Sequence, residues 1–193
     1  TKCIINKAKS ENTLNVSYQN KIIKSTIYGD YNFENICIAI AIGECFEVDF
    51  KNIKKGIESY VPKNNRSQIS LKNNNTIILD AYNANPTSMS LALESFKKTN
   101  YKNKMIILGD MFELGKDSNY YHQEITNSLE KINDSTIYIV GEYFCNTKHS
   151  DRIRSFSSSK ELINNLSKTN VSNYSILIKG SRGMQLEKII EFI

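Results

Sequence analysis

From residue 68 onward, short apolar runs alternate with stretches in which apolar side chains recur every three or four positions. Gln68 to Leu71 and Thr76 to Leu79 read as strands joined by the turn Lys72-Asn73-Asn74-Asn75. Met89, Leu93 and Phe96 then form the core-facing stripe of a helix from Pro86 to Lys98. Pro suits the first helical turn, and Asn85 before it can act as N-cap. The same alternation continues through strand Lys104 to Leu108, helix Ser118 to Lys131, strand Thr136 to Val140 and a short helix after Gly141. Strand Arg152 to Phe156, helix Lys160 to Ser167 with N-caps among Ser157 to Ser159, strand Tyr174 to Lys179 and helix Met184 to Phe192 complete it. Strands and helices alternating through short connections predict an α/β fold with a mainly parallel sheet covered by helices on both faces.

The first third follows another pattern. Thr13 to Tyr18 and Lys21 to Ile27 alternate loosely around Gln19-Asn20 and predict a hairpin or two neighbouring edge strands. Asn32 to Phe46, rich in Ile and Ala, is too long for a strand and predicts a buried helix. A second helix is expected from Phe50 to Tyr60, with Asp49 as N-cap. Pro62-Lys63-Asn64-Asn65 breaks the pattern and sets a domain boundary between residues 1–63 and 64–193.

Composition removes several function classes. The net charge of +5 comes mostly from singly spread Lys, without an Arg-rich patch or an aromatic-basic stripe, which argues against nucleic acid. A mildly positive surface suits an anionic ligand or simple solubility. Cys3, Cys37, Cys45 and Cys145 form no C-x-x-C pair, and Cys37 and Cys45 are predicted core thiols in the apolar helix. With only His122 and His149 besides, no metal site is assigned to this chain. A reduced, cytoplasmic protein is expected. No run approaches the roughly 18 apolar residues of a membrane-spanning helix, so no membrane insertion is expected.

Four clusters end strands or open helices, where an α/β protein builds its site. They are Gly29-Asp30-Tyr31-Asn32-Phe33-Glu34-Asn35, Asp80-Ala81-Tyr82-Asn83-Ala84-Asn85-Pro86-Thr87-Ser88-Met89, Leu108-Gly109-Asp110-Met111-Phe112-Glu113-Leu114-Gly115 and Lys179-Gly180-Ser181-Arg182. The second is a well-capped βα loop or a site for hydroxyls, amides or a carboxylate. The last is an anion cradle or a tight turn with solvated charges.

In this order, the clusters closely resemble the signature of the Mur ligases, in the branch that adds D-alanyl-D-alanine. The resemblance runs from about Tyr28 to the C-terminus and departs at Tyr31, where that branch usually has His. It implies a Rossmann-like C-terminal domain preceded by the tail of a central ATPase domain. It also implies an ATP-dependent ligase acting on UDP-N-acetylmuramoyl-tripeptide and D-alanyl-D-alanine through an acyl phosphate, as a monomer. Asn32 and Asn35 would face adenine, although N-capping of the helix they open is the alternative. Arg66 would reach the ATP phosphates and Asp80 the ribose hydroxyls. Asn83, Asn85, Ser88, Lys179, Ser181 and Arg182 would line the dipeptide pocket or clamp its carboxylate, with Arg66 and Lys179 as the catalytic candidates. Asp110 and Glu113 have capping and turn roles as alternatives to substrate contact, and His122 would orient its helix. No G-x-x-G-K-[ST] phosphate loop occurs, and Thr1 reads as a cut inside the central domain. The Mg²⁺ ligands are expected in that missing N-terminal part, and this chain alone is expected to be inactive. The alternatives are another amide ligase of the same superfamily, such as a folylpolyglutamate synthase, and a non-catalytic α/β ligand-binding module.

Overall fold

A computed structural model of the chain describes residues 4–10 and 13–193. These divide into two compact units, with the division in sequence between Lys63 and Asn64. Cys3 and Thr1 lie outside the described residues.

In the first unit, β1 (Ile5–Ala8), β2 (Asn15–Tyr18) and β3 (Lys21–Lys24) form an antiparallel meander. Gln19 and Asn20 turn the chain between β2 and β3 with both residues at positive φ, 48° and 56°, which matches the twist of the flanking strands. β1 was absent from the hydrophobic pattern because only Ile5 and Ala8 are even half-buried. Leu14, Val16, Tyr18 and Ile23 pack with Ile36 and Ile40 of α1 (Phe33–Cys45) and with Ile53 and Ile57 of α2 (Phe50–Ser59). Asp49 caps α2 as expected, its Oδ1 accepting the Asn52 N–H at 2.8 Å.

α1 is not the buried helix its composition predicts. Isoleucines at 36, 38, 40 and 42 cannot share one face of a helix with 3.6 residues per turn. Ile36 and Ile40 point inward, whereas Ile38 and Ile42 are 56% and 54% exposed. The same rotation leaves Cys45 exposed and Cys37 only partly buried, so neither is the core thiol expected.

The second unit is built on β4 (Gln68–Lys72), β5 (Asn75–Asp80), β6 (Lys104–Gly109), β7 (Ser135–Val140), β8 (Ile153–Phe156) and β9 (Ser175–Lys179). Their order in the sheet is β4-β5-β9-β6-β7-β8, and every neighbouring pair is parallel except the β4–β5 hairpin at one edge. Crossovers carry α3 (Pro86–Lys98), α4 (Ser118–Leu129), α5 (Glu142–Cys145) and α6 (Ser159–Leu166). All five residues of β9 are buried, as a central strand covered on both faces requires. Ile77, Leu79, Ile107, Ile176 and Ile178 pack with Leu162 and Leu166 of α6. Ile78, Ile106 and Leu177, one residue out of phase, face the other way and are equally buried. Met89, Leu93 and Phe96 of α3 and Ile125 and Leu129 of α4 are the buried helical residues of that second layer.

The chain does not end in the α-helix expected from Met184. It forms two 3₁₀ segments, Arg182–Met184 and Leu186–Phe192, separated by Gln185 in the left-handed region at φ 51°. Leu186 and Ile189 still join the core, because 3.0 and 3.6 residues per turn both place i and i+3 on one side of a short segment. Among the described residues, no helix is long and apolar enough to cross a membrane.

Candidate functional site

Strand register gathers three of the four clusters at one edge of the second unit. Asp80 lies opposite Lys179 across β5–β9, and Lys179 lies opposite Leu108 across β9–β6. These are the carboxyl ends of parallel strands, where open α/β sheets bind ligands. The fourth cluster belongs to the first unit.

The Lys179 ammonium donates to Asp80 Oδ2 at 2.6 Å and points at the Asn83 carbonyl at 3.4 Å. Its side chain is 2% exposed and that of Asp80 14%. A buried ammonium requires such a partner, since the cost of removing it from water is several kcal/mol. The other carboxylate oxygen, Asp80 Oδ1, accepts the Ser67 N–H at 3.0 Å. The sequence reading gave Asp80 to the nucleotide and Lys179 to the dipeptide; in the fold they are one ion pair.

That pair anchors the segment that carries Arg66. Ser67 is held by Asp80, and Tyr82 N donates to the Asn65 carbonyl at 3.1 Å, so residues 65 and 67 are both tied to the β5 end. Asn64, Asn65 and Ser67 all adopt positive φ, which folds the segment tightly enough to bring Arg66 over the Tyr82 ring. The Arg66 guanidinium carbon lies 3.7 Å from the ring centroid, and that of Arg182 lies over the same ring at 5.2 Å. Both arginines are exposed, and among the described residues neither pairs with a carboxylate. Tyr82, part of the second cluster, has no expected role from the sequence, yet two arginines meet over its ring. Its importance comes from two arginines supplied by distant segments, which no local pattern announces.

The Asn83 to Ser88 stretch is organised by its own hydrogen bonds. Asn83 Oδ1 accepts the Ala84 N–H at 2.9 Å. Asn85 Oδ1 accepts the Ser88 N–H at 2.8 Å, while Ser88 Oγ accepts the Asn85 N–H at 3.2 Å. This reciprocal capping box opens α3 with Pro86 in its first turn. Beside it lies an open cleft of about 450 Å³, lined by Asn85, Pro86, Ser88, Leu91, Leu114 and Tyr121 among others.

Residues of the remaining clusters also bond to the protein itself. Ser181, 3% exposed, accepts the Phe112 N–H at 2.8 Å and donates its own N–H to the Asp110 carbonyl at 3.0 Å, stitching the β9 loop to the β6 loop. Asp110 caps α5 by accepting the Tyr143 and Phe144 N–H groups at 3.0 and 2.9 Å. Glu113 is exposed in a turn at φ 64°. His122 is fully buried; its Nε2 accepts the Met111 N–H at 2.9 Å, and its Nδ1 donates to the Ser118 carbonyl at 2.6 Å. Burial lowers its pKa, against smaller opposing effects of the Ser118 carbonyl and the Asp110 charge. His122 is thus a neutral tether between α4 and the Asp110–Phe112 loop.

In the first unit, Asn32 Nδ2 donates to the Tyr28 carbonyl at 2.8 Å and Asn35 Nδ2 to Asn32 Oδ1 at 2.9 Å. Asn32 stands at the N-cap position of α1 but its side chain makes no capping bond, so the alternative reading of Asn32 as a cap fails. Among the described residues, no group of three His, Cys, Asp or Glu side chains could hold a metal ion.

The second unit is an α/β domain of Rossmann-like build, with Arg66 and Arg182 exposed beside the carboxyl ends of its parallel strands. The family model described as "Mur ligase, glutamate ligase domain" matches residues 65–182, and the chain belongs to the Mur ligase family. It is 37% identical over 134 residues to UDP-N-acetylmuramoyl-tripeptide–D-alanyl-D-alanine ligase of Rickettsia prowazekii, covering 66% of this chain and 29% of that protein. The Bacillus subtilis protein of the same name is 32% identical over 174 residues, covering 86% of this chain and 38% of that one. Its fold is similar to a crystal structure of MurF from Acinetobacter baumannii, with a TM-score of 0.82 at 26% identity over 96% of this chain and 43% of that one. The chain thus spans about a third of the length of these curated relatives.

Proposed function

We propose that this chain serves an ATP-dependent ligase that adds D-alanyl-D-alanine to UDP-N-acetylmuramoyl-tripeptide in the cytoplasmic steps of peptidoglycan synthesis. In this reading residues 1–63 are the tail of the central ATP-binding domain, and residues 64–193 are the domain that presents the dipeptide. The observation that carries it is the meeting, at one sheet edge, of the Asp80 to Met89, Leu108 to Gly115 and Lys179 to Arg182 clusters, with Arg66 and Arg182 over the same Tyr82 ring.

The residues fit the groups they would meet. ATP would supply the phosphoryl group that turns the tripeptide carboxylate into an acyl phosphate, with Mg²⁺ offsetting part of the phosphate charge. Arg66 holds phosphate oxygens with its free N–H edge. Asp80 retains lone pairs for ribose hydroxyls because Lys179 and Ser67 use only part of its accepting capacity. Asn32 and Asn35 contact adenine. D-Alanyl-D-alanine lies in the cleft beside α3, where the helix N-terminus favours its carboxylate and Leu91 and Leu114 take its methyl groups. Asn83, Asn85, Ser88 and Ser181 orient the dipeptide so that its unprotonated amine meets the acyl carbon. Holding the two reactants in that geometry is the largest service such a domain performs.

The test is phosphate release from labelled ATP by this chain joined to a phosphate-loop segment of its family, with UDP-N-acetylmuramoyl-tripeptide present. Release should depend on D-alanyl-D-alanine; dependence on L-alanine or glutamate instead would assign a different member of the family. The chain by itself, lacking a phosphate loop, should release none.

A further inference from the structure

Arg66, before β4, and Arg182, after β9, come from opposite ends of the second unit and lie over one aromatic ring. We propose that Tyr82 is a positioning residue that joins these arginines into a single dicationic site, and that this site takes one phosphate-bearing ligand. Only the identity of that ligand as a nucleotide rests on the ligase reading above; the site itself rests on the geometry.

The two centroid distances together bound the separation of the guanidinium carbons at about 9 Å. Like charges that close repel, and no carboxylate among the described residues offsets either one. The negative face of the Tyr82 ring supplies the offset. A guanidinium that contacts a ring through part of its surface retains N–H groups for oxygen acceptors, since it carries five. The backbone that carries the ring is held in place: Ala81 before it and Ala84 two residues after it are buried, and the Tyr82 N–H is bonded to the Asn65 carbonyl one residue before Arg66.

Charge selects the ligand. A single carboxylate leaves one of two positive charges unmatched, whereas a di- or triphosphate carries enough charge for both and enough length to span them. Each guanidinium fork also matches phosphate oxygens in a bidentate manner. Arg182 therefore acts with Arg66 on the phosphates, and the dipeptide carboxylate is left to the α3 N-terminus.

Titration calorimetry of this chain with inorganic tripolyphosphate, at two salt concentrations, tests the proposal. Arg66→Gln and Arg182→Gln should each weaken binding about tenfold, as loss of a charge-assisted hydrogen bond does. Tyr82→Leu should weaken it about fivefold, while Tyr82→Phe, which keeps the ring face, stays within about twofold of the parent. In the Arg66→Gln/Arg182→Gln background, Tyr82→Phe and Tyr82→Leu should have no further effect, because Tyr82 acts only through the arginines. Full affinity in Arg182→Gln would overturn the proposal, as would an undiminished effect of Tyr82→Leu without the arginines. Thermal unfolding of each variant confirms that it is folded, and Tyr82→His, a ring of weaker negative face expected to fall between Phe and Leu, replaces Tyr82→Leu if that variant is not. Loss of this coupling with D-alanyl-D-alanine-dependent turnover intact would sink the shared site alone. Intact coupling without such turnover would sink the ligase reading alone.

Discussion

The Asp80 carboxylate and the Lys179 ammonium, 99 residues apart in sequence, meet at 2.6 Å where β5 and β9 end side by side. The pair also holds the Arg66 segment through Ser67. Because the two side chains touch, substitution of either is expected to disturb the role of the other as well. Each side chain is the other's counter-charge.

Removing one partner should therefore destabilise the second unit. Lys179→Met leaves the Asp80 carboxylate without its counter-charge, and Asp80→Asn leaves a buried ammonium. Each change should cost about 3 kcal/mol in urea unfolding, and the double variant should cost clearly less than the sum of the two. Strict additivity would mean that the two groups do not stabilise one another.

The capping box at the head of α3 makes a second prediction. Asn85→Ala should cost about 1 kcal/mol of stability and Asn85→Asp almost nothing, because a carboxylate caps as well as an amide oxygen. Ser88→Ala removes the reciprocal bond and should cost somewhat less than Asn85→Ala. Denaturant midpoints measure all three. A raised KM for D-alanyl-D-alanine in Asn85→Asp, with stability unchanged, would isolate a substrate contact from the cap.

Most of this architecture was legible in the sequence. Continuous apolar runs ending in Asp80, Leu108 and Lys179 marked buried parallel strands, and Asn85-Pro86 marked a helix start, because those signals are local. What failed was what local signals cannot carry. The four isoleucines of α1 have the composition of a buried helix but the spacing of a helix with two different faces. The last seven residues of the 3₁₀ tail fit a helix of either pitch. The roles of Tyr82 and the partnership of Asp80 with Lys179 arise only when β9 inserts between β5 and β6. That insertion also makes Ser181, expected at the dipeptide pocket, a link between two loops.

His122 gives the second unit a defined pH response. Its Nε2 accepts a backbone N–H, so the folded state requires neutral imidazole, and burial holds its pKa below the usual 6.5. The unfolded chain takes up a proton as pH falls through about 6.5, where the folded chain does not yet. Stability is therefore complete above that pH and declines below it, until the folded-state pKa is also passed. The slope should reach at most about 1.4 kcal/mol per pH unit, the value for one proton. Asp110, whose Oδ1 lies 3.6 Å from Nε2, is the charged group facing the ring. Urea unfolding between pH 7.5 and pH 5 should show this decline, and His122→Gln should flatten it while lowering stability at pH 7.5. An unchanged slope in His122→Gln would place the titrating group elsewhere.

Two glycine-to-alanine changes should move stability in opposite directions. Gly141 opens α5 at φ 121°, and a Cβ there would fall 2.2 to 2.6 Å from the three atoms of the Asp110 carboxylate. Alanine must either adopt a conformation that L residues avoid or push that carboxylate off the Tyr143 and Phe144 N–H groups it caps. The expected cost is about 3 kcal/mol, combining backbone strain with the loss of two charge-assisted bonds. Gly56 lies inside α2 in an exposed position, and a Cβ there meets nothing within 4 Å. Alanine at that site should stabilise the first unit by about 0.5–1 kcal/mol, since it removes backbone freedom from the unfolded chain without a steric penalty. Denaturant unfolding followed separately in the two units reads both effects. A Gly141→Ala variant as stable as the parent would show that Asp110 does not depend on the space which glycine leaves open.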